Sequence, residues 1–206
     1  GSDERKKHFS LKNGVTILGG YPDGGGERNP GANTTTLSGD IGVAGDDSDN
    51  CYHVFYHPEA LGLDATAVLD GCVVRSGNAN ADPPHASGGG MHNYGASPTL
   101  RACTFTGNYA FYAGGGLWCA YSNAVLGNCR FIGNSTSTGT NHKGYGGGVM
   151  VVDTAVTVIN AVVAGNVARY GGGMFTDAWE ATPSQPELIN ATFHGNSASQ
   201  SGGAVY

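Results

Sequence analysis

Between residues 69 and 193 one short pattern of apolar and polar positions returns five times: LDGCVV (69–74), LRACTF (100–105), LGNCRF (126–131), VINAVV (158–163) and LINATF (188–193). In LRACTF the apolar residues are Leu100, Cys103 and Phe105, with Thr104 polar between the last two. Short alternating segments of this kind predict strands, and no 3.6-residue stripe lasts long enough for a helix. Two further elements keep step with the pattern. FTGN (105–108), FIGN (131–134), VAGN (163–166) and FHGN (193–196) follow it directly. Glycine runs then open at Gly88, Gly114, Gly146, Gly171 and Gly202, spaced 26, 32, 25 and 31 residues apart.

A unit of about 25–30 residues with about three short strands cannot bury its own apolar face. Stacking such units at the ~4.8 Å strand spacing buries all of them together. The expected fold is therefore all-β, a parallel β-helix of about five to six rungs. Residues 1–50 are expected to form an N-terminal capping region and first strands, and residues 51–206 the repeats. The break inside a new repeat at Val205-Tyr206 suggests a piece of a longer protein. Inward columns are predicted for Cys72, Cys103, Cys129, Ala161 and Ala191, and for Phe105, Phe131, Val163 and Phe193. Buried cysteine packs as a small hydrophobe, although neighbouring rungs could also join two of the thiols. Asn108, Asn134, Asn166 and Asn196 share one corner, where asparagine tolerates left-handed backbone; an amide ladder is expected there.

Composition fits this reading. Glycine fills 36 of 206 positions and charged residues only 13%, against usual shares of roughly 7% and 25%. The net charge of −6 argues against nucleic acid, which demands a basic stripe. The one basic cluster, Arg5-Lys6-Lys7, reads as a solvated tail. No apolar run reaches the ~20 residues of a membrane helix. The five cysteines form no CxxC pair, so zinc is unsupported.

FTGN, FIGN and FHGN, with GGAV at 202–205, resemble the FxxN and GGA(I/L/V) motifs of the polymorphic outer-membrane protein repeats of bacterial surface adhesins. FSLKNGVTILGGY (9–21), TLSGDIG (36–42) and YHVF with ATAVLDG (52–71) look like the opening of the broader right-handed parallel β-helix repeat family of secreted bacterial proteins. The resemblance implies a pectate-lyase-like superfold, right-handed as parallel crossovers generally are, and a secreted or cell-surface protein. It also admits a polysaccharide lyase or glycoside hydrolase, because fold alone does not decide function.

The chemistry in the chain is sparse. KGYGGG (143–148) has its lysine on the wrong side for a phosphate loop. Of the repeat-region acids, no two share an aligned position as a hydrolase pair would demand. Asp177, Glu180 and Glu187 share only one long insertion, which also carries Trp179. The run Asp46-Asp47-Ser48-Asp49-Asn50 could supply oxygen ligands to Ca²⁺ through Asp46, Asp47 and Asp49, yet lacks EF-hand spacing; a solvated turn is the competing reading. His53 and His57, read as one strand face, would lie about 13 Å apart, too far for one metal.

Rings carry the strongest functional signal. The position two after each GGG or GGA triplet reads His92, Trp118, Met150, Phe175 and Tyr206, and alternation points it outward as an exposed strip suited to flat sugar faces; the competing expectation is that insertion loops cover it. The long loops 79–87 and 135–145, about 10 Å apart, are expected to wall a notch floored by Tyr109, Phe111 and Tyr112, with His85 on one wall and His142 and Lys143 on the other. His142 and Lys143 are the base candidates if the notch is catalytic. The expected function is a non-catalytic module that binds a polysaccharide or cell-surface glycan through these rings, with covalent or domain attachment expected in a full-length protein; an enzyme and a structural spacer are the alternatives.

Overall fold

The computed structural model describes residues 3–139, 143–178 and 183–206. The chain winds through four parallel sheets, making the right-handed parallel β-helix that the repeats predict. One complete rung runs Leu117–Ala120, Val125–Gly127, Arg130–Ile132 and Ser135–Thr136. Sheet I stacks Phe55–His57, Met91–Tyr94, Leu117–Ala120, Val149–Val152 and Met174–Asp177. Sheets II and III, six-stranded, contain the repeated apolar pattern, and sheet IV holds the segment after each Gly-Asn corner. A rung thus has four strands where the pattern suggested three. The additional strand is as short as two residues, as at Tyr109–Ala110, too brief for alternation to announce it.

The predicted columns are in register. Val74, Phe105, Phe131, Val163 and Phe193 pair in succession. Cys72, Cys103 and Cys129 are buried beside them, and all five cysteines are free thiols. Thr16–Leu18 pairs with Val68–Asp70, and Thr35–Ser38 with Cys72–Arg75, so strands from the first fifty residues extend the same two sheets. The basic N-terminal cluster is not simply a solvated tail. Arg5 Nε donates to the Asn50 carbonyl at 2.7 Å and Nη2 to the Asn78 carbonyl at 3.0 Å, while the guanidinium lies 4.3 Å from the Tyr52 ring centre. Lys6 and Lys7 remain exposed.

The corner amides form the expected ladder. Asn108 Nδ2 donates to Asn134 Oδ1 at 2.9 Å, Asn134 to Asn166 at 3.1 Å, and Asn166 to Asn196 at 2.9 Å. The left-handed residue at this corner is the preceding glycine, with φ of +60° at Gly107 and +64° at Gly133. Glycine bears the strain and leaves the asparagine free to bond. A second, exposed ladder joins Asn128, Asn160 and Asn190, whose own φ values are 55°, 54° and 51°. In the glycine runs, close packing fixes the later positions: a Cβ on Gly116 would stand 2.6 Å from the Gly148 carbonyl of the next rung.

Candidate functional site

The middle strands of sheet I are buried on both faces. Leu117, Cys119, Val149 and Val151 point into the helix, while Trp118, Ala120, Met150, Val152 and Phe175 form a second apolar cluster on its outer side. The strip expected to be exposed is therefore covered: Trp118 and Phe175 are each 6% accessible, His92 5% and Met150 0%, and only Tyr206 is open. Alternation did turn these residues outward. Tyr112, Tyr145 and Tyr170, set just before the glycine turns, pack against that cluster. Tyr145 lies 4.6 Å from Phe175 and Phe175 5.3 Å from Tyr206, centre to centre.

Where the long 79–87 segment departs, the cover opens into a cavity of about 390 Å³. Tyr56, His92, Tyr94, Tyr112 and Trp118 supply its rings. Pro58, Pro83, Pro84, Ala86 and Ser87 complete the wall. The volume falls within the roughly 300–1,000 Å³ range of small-molecule sites. Tyr94 and Trp118 lie nearly parallel, 9° apart with centroids at 6.0 Å. His92 is wedged between Trp118 at 4.4 Å and Tyr56 at 5.0 Å. Its Nδ1 donates to the Ser87 carbonyl at 3.0 Å, which places the proton there and leaves Nε2 an acceptor. Burial lowers its pKa to about 4, so the ring is neutral.

Behind the cavity stands a histidine cluster. His53 donates from Nδ1 to the Gly88 carbonyl, and its Nε2 meets His85 Nδ1 at 2.9 Å. His85 also stacks on Tyr52, centroids 4.9 Å apart. Burial pushes the His53 pKa well down. His57 does not share a face with His53. It points into the helix, where Nε2 accepts from the Leu11 amide at 3.1 Å and Nδ1 donates to Asn93 Oδ1 at 2.7 Å. The reason is that His53 precedes the strand Phe55–His57, so strand alternation does not reach it.

The residues of the expected notch part company. Tyr112 and Trp118 meet at the apolar cavity. Tyr109 lines a separate polar groove with Asp47, Asn50, Asn78, Asn108 and Ser135. Ala110 is buried between Tyr109 and Phe111, and Phe111 is half-buried. His85 turns to His53 while its neighbours Pro84 and Ala86 line the cavity. Lys143 is exposed; His142, Trp179 and Glu180 lie outside the described residues. Asp46, Asp47 and Asp49 bond within their own loop, to the Ser48 amide (2.9 Å), the Asn50 side chain (3.1 Å) and the Val43 amide (2.7 Å). Among the described residues no three His, Cys, Asp or Glu side chains gather as metal ligands. Sequence reasoning missed Tyr56, Tyr94 and the three prolines. Tyr56 and Tyr94 each sit at a ladder position of sheet I, but only the register of Tyr56 to His92 and of Tyr94 to Ala120 brings them to one side.

Among known families, the one described as "Right handed beta helix region" matches residues 39–206. Comparison with curated proteins and with solved structures gave no match.

Proposed function

Since the chain belongs to the right-handed β-helix family, whose fold serves binding and catalysis alike, we propose that it is a non-catalytic, extracellular or cell-surface module that takes the sugar rings of a glycan into the cavity at Trp118. The observation that carries this reading is the wall itself: five rings around about 390 Å³, with Tyr94 and Trp118 parallel. Parallel aromatic faces suit the flat C–H face of a pyranose. His92 Nε2 offers an acceptor for one hydroxyl. Hydrolysis would call for two facing carboxylates, and no described residue lining the cavity is acidic. The likeness of FTGN, FIGN, FHGN and GGAV to adhesin repeats supports a surface setting.

The experiment is a glycan array with the whole chain, every hit then assayed for depolymerisation. Binding without product is the expected result. Tyr94→Ala, at a 37% exposed site, should weaken binding roughly tenfold, as truncating an aromatic anchor costs more than about 1 kcal/mol. Hits unaffected by Tyr94→Ala and Tyr112→Ala would remove the cavity from the reading, and product formation would make the protein an enzyme.

A further inference from the structure

The cavity also constrains what its glycan bears. Its rings present π faces, whose negative quadrupole attracts cations. No Lys or Arg lines it among the described residues, and the one titratable base, His92, is held neutral by burial. A bound cation therefore meets no competing positive charge in the wall. Just outside, Glu59 and Asp82 are exposed carboxylates next in sequence to the wall residues Pro58 and Pro83. Glu59 packs close to the Tyr94 turn: its Cγ would stand 2.9 Å from a Cβ on Gly95. The net charge of −6 adds a long-range pull of the same sign. Side-chain hydrogen-bond acceptors among the wall residues are few: His92 Nε2 and the Ser87 and tyrosine hydroxyls. A primary ammonium would have to bury three N–H donors against so few partners, which is costly. A methylated ammonium carries no such donors.

We propose that the cavity recognises a quaternary ammonium group borne by the glycan. The saccharide part of this statement rests on the function proposed above; the ammonium part rests on the rings and on the charges around them. The test titrates the whole chain with choline and with 3,3-dimethyl-1-butanol, its uncharged carbon counterpart, following Trp118 emission in a Trp179→Phe background. Choline should bind about tenfold more tightly than the alcohol. Tyr94→Leu keeps apolar surface and deletes a π face; it should weaken choline severalfold and leave the alcohol within about twofold. Equal affinities, or no choline binding in the millimolar range, would overturn the proposal. Array hits on unsubstituted glycans with no response to choline would sink this inference and leave the saccharide reading intact. Choline binding without any glycan hit would do the reverse.

Discussion

The amide ladder offers the sharpest test of how the stack is held. Asn134 is fully buried. Its Oδ1 accepts from the Asn108 backbone amide (3.2 Å) and side chain (2.9 Å); its Nδ2 donates to the Phe105 carbonyl (2.9 Å) and to Asn166 Oδ1 (3.1 Å). Asn134→Ala removes all four bonds. The Asn108 side chain keeps the Val74 carbonyl, and Asn166 Oδ1 keeps the Asn134 amide. The Asn108 backbone N–H loses its acceptor. One stranded buried donor costs about 1–3 kcal/mol, and weakening the groups that retain a partner raises the total to about 3–4 kcal/mol. Asn196 makes the same kind of bonds from a half-buried position in the last rung. Water can replace it, so Asn196→Ala should cost about 1 kcal/mol. Urea unfolding followed by far-ultraviolet circular dichroism reads both. Equal losses, or a loss under about 1 kcal/mol at Asn134, would refute the claim that the buried ladder binds rung to rung.

Other consequences are as direct. Gly116→Ala forces a Cβ against the next rung's backbone and should destabilise by more than about 3 kcal/mol, whereas Gly107→Ala, with φ of +60° and open space, should cost only about 1–2 kcal/mol of left-handed strain; paired urea midpoints compare them. The folded pKa of His57 and of His92 is lowered to about 4 from 6.5, with burial the largest cause. The unfolded chain therefore takes up protons first, and stability, complete above pH 6.5, falls as pH drops towards 4 by up to about 3 kcal/mol per histidine. A flat profile across that window would contradict the burial of both rings. The thiols of Cys51, Cys103 and Cys119 have pKa values raised to about 11, 12 and 11 by burial; a disulfide reagent at neutral pH should react with them only as the chain unfolds, and fast labelling of the folded protein would disprove their burial.

The stack was legible because its signals repeat. Phe105, Phe131 and Val163 recur at one position, and a single register then places every inward residue. Outward residues obey alternation too, but alternation cannot say what lies on top of them. Trp118 points outward as expected and is nevertheless buried: Tyr112 packs against its cluster, and Pro83, Pro84, Ala86 and Ser87 line the cavity with it. Those residues lie in connections whose lengths differ from rung to rung, where the repeat carries no information. The same limit explains the divided notch: Tyr109 and Tyr112 are three residues apart, yet the chain turns a corner between them and sends each to a different face.

The central claim is that the cavity at Trp118 takes a ligand. Trp118 has its indole in the wall, so its emission reports occupancy once Trp179 is replaced by phenylalanine. Titration with the strongest array hit should give a saturable change that Tyr94→Ala shifts to about tenfold higher concentration. Glycan binding that leaves Trp118 emission unchanged would place the ligand elsewhere on the helix and contradict the account.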